Sequence, residues 1–165
     1  AEGSPVSAIP MPVQAGADIL ASYPLVEQMF SRHGCTRVDA DGIETFLARP
    51  GHALLVFTED PMRYKETLDL AVIVPQLQRA FPGRFATGVL LPEAARQVQR
   101  RYGFNRWPAL VMLKDGQYVG VIDGLRNWDE YLEELQALLS AAPSRPPTVG
   151  IPVRGPGGGA GACTS

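Results

Sequence analysis

Tyr102-Gly103-Phe104-Asn105-Arg106-Trp107-Pro108-Ala109-Leu110-Val111-Met112-Leu113-Lys114-Asp115-Gly116, continued through Val119-Gly120-Val121-Ile122-Asp123-Gly124, is the stretch that decides the fold. Residues 109–113 and 117–122 are short apolar runs on either side of Asp115-Gly116, a dipeptide suited to a tight turn, and so predict a β-hairpin. A tryptophan-proline corner stands in front of its first strand. Upstream, residues 92–102 read as a helix with Pro92 in the first turn, where its missing N–H costs nothing.

Working outward, residues 85–91 are strand-like, and residues 52–58 are a nearly unbroken apolar run bounded by turn residues, the pattern of a central strand covered on both faces. Between them, residues 69–81 predict a helix with Leu70, Ile73, Val74, Leu77 and Phe81 on one face, kinked where Pro75 removes a donor. The last helix follows a capping box, Asn127 with Glu130 three residues on, and presents Tyr131, Leu132, Leu135, Leu138 and Leu139 to the core. Nearer the start, Leu25, Val26, Met29 and Phe30 predict a helix ended by Gly34, residues 35–38 a short strand, and Asp41 the cap of a short helix carrying Ile43, Phe46 and Leu47. Residues 1–20 are expected to form a mobile arm, 21–142 the domain, and 143–165 a Pro/Gly-rich tail too poor in apolar surface to order. The order β-α-β-α-β-β-α is that of a layered α/β fold with a mixed central sheet flanked by helices.

A chain of 165 residues that is 45% hydrophobic and 19% charged has room for one real core. Its formal net charge of −2 and its lack of a Lys/Arg block argue against nucleic acid or an anionic membrane surface as partner. No apolar run is long enough to span a bilayer, and residues 1–5 lack the basic and hydrophobic regions of a signal peptide, so a cytoplasmic location is expected. Cys35 and Cys163 are the only cysteines and are far apart; Cys35 reads as a small buried thiol in a strand. His33 and Cys35 supply at most two metal ligands, so no metal is expected. Neither histidine has a nucleophile or carboxylate partner suggested by position, the tail glycines lack the lysine of a phosphate loop, and neither an enzyme activity nor a cofactor is expected.

The element order and the Trp107-Pro108 corner resemble thioredoxin. In that fold the strand before the kinked helix ends in a redox loop, and a cis-proline faces the reactive cysteines. Anchored on Pro75, the cysteine positions fall near Thr67 and Leu70, so that Thr67-Leu68-Asp69-Leu70 stands where CxxC would be. The chain more closely resembles the thioredoxin-like hydrogenase accessory proteins HyaE, HupG and HoxO, which also lack the redox pair. The resemblance is carried by His52-Ala53-Leu54-Leu55-Val56-Phe57, by Glu66 through Leu77, by Phe81-Pro82-Gly83-Arg84-Phe85, by Tyr102-Gly103-Phe104, by Trp107 through Val111 and by Gly124-Leu125-Arg126-Asn127-Trp128. It covers roughly residues 22–142.

The resemblance implies a non-catalytic maturation chaperone for the uptake nickel–iron hydrogenase, with the twin-arginine signal peptide of the small subunit as its ligand before export. A peptide would add along backbone groups left open beside a cis Trp107–Pro108 link. Trp107, Leu70 and Tyr64 are candidates for the apolar floor, beside Thr67 and Pro108, and Glu59, Asp60, Glu66 and Asp69 for the carboxylates that receive two guanidinium groups. The competing readings are solvated loop charges for Glu59, Asp60 and Glu66, a plain helix cap for Asp69, and packing of Trp128 under residues 124–126. Two other functions compete: a thiol oxidoreductase working through Cys35 or Cys163, and a scaffold docking other hydrogenase accessory proteins.

Overall fold

The computed structural model describes residues 16–146. They run α1 (Gly16–Ser22), α2 (Pro24–Ser31), β1 (Thr36–Arg37), a 3-10 turn (Ala40–Gly42), α3 (Ile43–Leu47), β2 (His52–Phe57), α4 (Glu66–Ala80), β3 (Ala86–Leu90), α5 (Pro92–Tyr102), β4 (Ala109–Lys114), β5 (Gln117–Asp123) and α6 (Trp128–Ser140). The five strands form one sheet in the order β1-β3-β2-β4-β5. β1, β3 and β2 are parallel, and β4 pairs antiparallel with both β2 and β5. This is the thioredoxin-like arrangement.

β2 is central, and its side chains alternate between two cores because successive strand residues face opposite ways. Leu54 and Val56 join Leu70, Val74 and Leu77 of α4, Leu135 of α6 and Val26 of α2 on one face. Ala53, Leu55 and Phe57 join Val98 of α5 and Ile43 and Phe46 of α3 on the other. Full burial of one such large apolar side chain stabilises the fold by about 1.5–3 kcal/mol, and from Leu54 to Phe57 β2 has none exposed.

The hairpin forms where expected. Asp115 and Gly116 both take positive φ, 51° and 81°, as a two-residue turn matched to strand twist requires. A side chain at Gly116 would also strike the Leu47 carbonyl oxygen, 2.2 Å from an ideal Cβ. The turn is tied to the start of β2: the Asp115 N–H donates to the Gly51 C=O at 2.8 Å, and the Gly51 N–H donates to Asp115 Oδ1 at 2.6 Å. The capping box also forms, with Glu130 N–H on Asn127 Oδ1 at 2.9 Å and Asn127 N–H on Glu130 Oε1 at 3.0 Å.

Several boundaries differ from expectation. α1 already occupies Gly16–Ser22, inside the expected arm, because Ile19 has a core to enter and is buried there; residues 1–15 lie outside the described residues. α4 starts at Glu66, three residues before Asp69, since the turn bonds Thr67 N–H to Tyr64 C=O and Leu68 N–H to Lys65 C=O carry the coil back into the loop. The helix then runs through Pro75 as one element. Asp41 caps nothing: the Gly42 N–H to Asp39 C=O bond makes the 3-10 turn, and Gly42 is the residue before α3. At the beginning of the expected tail, the Ser144 N–H donates to the Tyr118 C=O at 2.7 Å and its hydroxyl to the Val119 C=O at 3.2 Å, covering part of the edge strand β5. Residues 147–165, Cys163 among them, lie outside the described residues.

Candidate functional site

The sheet register brings three segments to one end of the molecule. Phe57 at the end of β2 pairs with Ala109 at the start of β4, which pairs with Asp123 at the end of β5. The loop after β2, the Trp107-Pro108 corner and residues 124–126 therefore adjoin. The Trp107–Pro108 peptide bond is cis.

Trp107 rests on an aromatic support. Its ring meets Phe104 edge-on at 5.1 Å and Phe57 at 6.4 Å, and those two meet each other at 4.9 Å. These contacts hold one side of the indole while the residue stays half-buried, the condition of a rigid aromatic anchor. Pro108 is buried, and its C=O accepts the Gly124 N–H at 2.8 Å. Among the described residues, no backbone group pairs with the Trp107 N–H or C=O.

The structure takes three expected ligand residues out of the surface. Thr67, at a cysteine position of the thioredoxin frame, is buried; its hydroxyl donates to the Glu59 C=O at 2.8 Å and accepts the Glu59 N–H at 3.2 Å, so it stitches α4 to the loop. Leu70, at the other cysteine position, is 1% exposed within the core. Glu59 is buried and already holds a guanidinium, with Arg96 Nε on Oε2 at 2.9 Å and Arg96 Nη2 on Oε1 at 2.5 Å. That pairing raises the Arg96 pKa, chiefly through the side-chain hydrogen bond. Arg96 lies 37 positions from Glu59, on another element, and nothing in the local sequence announces the pair.

The remaining candidates stay accessible. Asp60 is partly exposed, with Oδ1 accepting the Met62 N–H at 3.0 Å. Glu66 and Asp69 are exposed in the first turn of α4, and Tyr64 is half-buried. Met62, at 78% exposure, is an apolar residue of this loop that pattern reading passed over. Leu125 and Trp128 are also exposed, at 40% and 39%. The Arg106 guanidinium lies against Gly124.

Cys35 is buried as expected. Burial pushes its thiol pKa up to about 11, a trend that a side-chain hydrogen bond from Gln78 opposes, so it is a poor thiolate nucleophile. Among the described residues, no group of three His, Cys, Asp or Glu side chains is placed to hold a metal ion, and no helix is long and apolar enough to cross a membrane.

The chain is similar to known proteins over most of the described domain. The family described as Hydrogenase-1 expression protein HyaE matches residues 25–131. The chain is 42% identical over 132 residues to the hydrogenase expression/formation protein HoxO of Cupriavidus necator, covering 79% of this chain and 82% of that one. It is 35% identical over 142 residues to HoxO of Azotobacter vinelandii, covering 86% and 94%. The crystal structure of a hydrogenase expression/formation protein, HupG, from Rhodopseudomonas palustris is 34% identical and covers 64% of this chain and 95% of its own, with a TM-score of 0.45. With the family matched across most of the described domain and two curated relatives aligned over more than three quarters of the chain, this protein belongs to the HyaE family of hydrogenase expression proteins.

Proposed function

We propose that the chain is a non-catalytic maturation chaperone that binds the twin-arginine leader of a nickel–iron hydrogenase small subunit in the cytoplasm before export. The observation that carries this reading is Trp107: a half-buried indole held edge-on by Phe57 and Phe104, whose backbone N–H and C=O have no backbone partner among the described residues. An extended peptide satisfies those groups by strand-like pairing and lays its apolar residues on the indole. Tyr64 and the exposed Met62 extend the apolar floor, and Pro108 shapes the corner from beneath. Asp60, Glu66 and Asp69 supply carboxylates for the two guanidinium groups. The dipole of the α4 N-terminus favours anions there by about 0.3–1 kcal/mol and so opposes a guanidinium approaching either Glu66 or Asp69, which leaves Asp60 the stronger partner. Thr67, Leu70 and Glu59 support this surface from below without touching the peptide.

The test is a binding titration of a fluorescent synthetic leader by anisotropy. Trp107→Ala is expected to weaken binding by about thirtyfold, the effect of an anchoring aromatic, while the wild-type circular dichroism spectrum is retained. Equal affinity for a leader with both arginines changed to alanine removes the arginine part of the reading. Capture of a leaderless small subunit with undiminished affinity favours a docking scaffold instead.

A further inference from the structure

At the end of the sheet opposite Trp107, where β2 begins, a cavity of about 600 Å³ opens between the segment before β2 and the α4–β3 connection. Arg49, His52 and Arg84 line it, with Gly51, Gly83 and Phe85. No carboxylate pairs with Arg49 or Arg84 among the described residues. The Arg49 guanidinium carbon instead lies 5.5 Å from the centre of the Phe46 ring. The nearby acid, Asp115, has Oδ1 committed to the Gly51 N–H. His52 Nε2 is shut off from solvent and has no hydrogen-bond partner among the described residues, so the ring meets a ligand in the cavity through its Nδ1 edge. A protein of net charge −2 has thus collected, around one cavity, two guanidinium groups with no carboxylate partner among the described residues and an imidazole.

We propose that this cavity binds a phosphate-type oxyanion, free or carried by a small molecule, through Arg49, Arg84 and His52. Guanidinium groups recognise such oxygens through paired N–H donors, and an imidazolium adds a further donor with its charge. Four charged groups face His52 besides the ligand: Arg84 of the α4–β3 connection, Lys114 at the end of β4, Asp115 of the hairpin turn, and Arg49 across the cavity. Burial, then Lys114 and Arg84, lower the His52 pKa, while Asp115 opposes them weakly. A bound anion reverses the repulsion, so binding takes up a proton and tightens as pH falls. The cluster draws on residues 49, 52 and 84, which explains why no basic run marks it in the sequence. It is independent of the leader-binding surface.

The experiment is an amide NMR titration of the full chain at constant ionic strength, with sulfate, inorganic phosphate and adenosine monophosphate as separate probes. Saturable shifts are expected at Gly51, His52, Gly83 and Arg84 and absent at Trp107 and Gly124. The double variant R49Q/R84Q is expected to lose at least about tenfold in affinity, and R79Q, outside the cavity, to lose none. Sulfate keeps its charge between pH 5.5 and 8, so an affinity that falls by about tenfold across that range, and stops doing so in His52→Gln, supports the assignment. Tighter binding of the nucleotide than of phosphate identifies a carried phosphoryl group, and equal binding the free anion. Non-saturating shifts scattered over the surface, or unchanged affinity in a folded R49Q/R84Q protein, overturn the site.

Discussion

Arg96 closes on the buried carboxylate of Glu59 through two hydrogen bonds, at 2.9 and 2.5 Å, and fixes the first residue pair of the loop that leaves the central strand. Thr67 holds the same residue by its backbone, and Asp60 N–H donates to Glu59 Oε1 at 2.7 Å. The loop under the proposed peptide surface is thus anchored from α4 and α5 together.

Arg96→Met therefore leaves a buried carboxylate without its cation. Loss of one partner of a buried pair costs about 3–5 kcal/mol; the Arg96 side chain is 44% exposed, and solvent screening reduces the expected cost to about 2 kcal/mol. Urea unfolding measures it. The double variant Glu59→Gln with Arg96→Met is expected to recover most of that loss, because no uncompensated charge remains.

Gly88 of β3 sits beneath α3, where a Cβ would lie 2.7 Å from the Phe46 ring and 2.9 Å from Val38. Gly88→Ala is expected to cost about 1–3 kcal/mol through overpacking. Thermal unfolding of Gly88→Ala combined with Phe46→Leu separates the clash from any strand-propensity effect: the clash account requires the second change to relieve part of the loss.

Cys35 should resist alkylation in the native state. With its pKa near 11 instead of 9, the thiolate population at pH 8 is lower by about a hundredfold. Iodoacetamide labelling of a Cys163→Ser protein, read by mass spectrometry, is expected to be slow in buffer and fast in denaturant. The same shift destabilises the fold in alkali: the unfolded thiol ionises near pH 9 and the folded one near 11, so up to about 2–3 kcal/mol is lost as pH rises through that window. Cys35→Ala removes that part of the alkaline slope.

Asn127→Ala opens the capping box of α6 by removing the Oδ1 that accepts the Glu130 N–H, while the backbone N–H that donates to Glu130 Oε1 stays. A loss of about 1 kcal/mol is expected, together with faster amide exchange at Glu130. Asp41→Ala is expected to change stability by less than about 0.5 kcal/mol, as a surface residue that caps no helix in the structure.

Periodicity and turn chemistry determined the elements of this protein, because those signals are local. The apolar run of residues 52–57, bounded by turn residues, has the pattern of a strand covered on both faces, Asp115-Gly116 suits a tight turn, and Asn127 with Glu130 marks a helix start. The order of those elements, with Trp107-Pro108 before β4, carried the thioredoxin-like fold, and the matching segments from His52 to Trp128 carried the family resemblance. Tertiary structure alone decided which polar and apolar side chains remain available. Thr67 and Leu70 look like groove residues by position yet turn inward with the α4 stripe, and Glu59 looks like a loop charge until Arg96, 37 residues on, folds against it. Arg49, His52 and Arg84 meet only because the chain entering β2 and the connection before β3 border one cavity. Charge pairing and burial depend on which distant residue arrives, and a one-dimensional pattern does not contain that information.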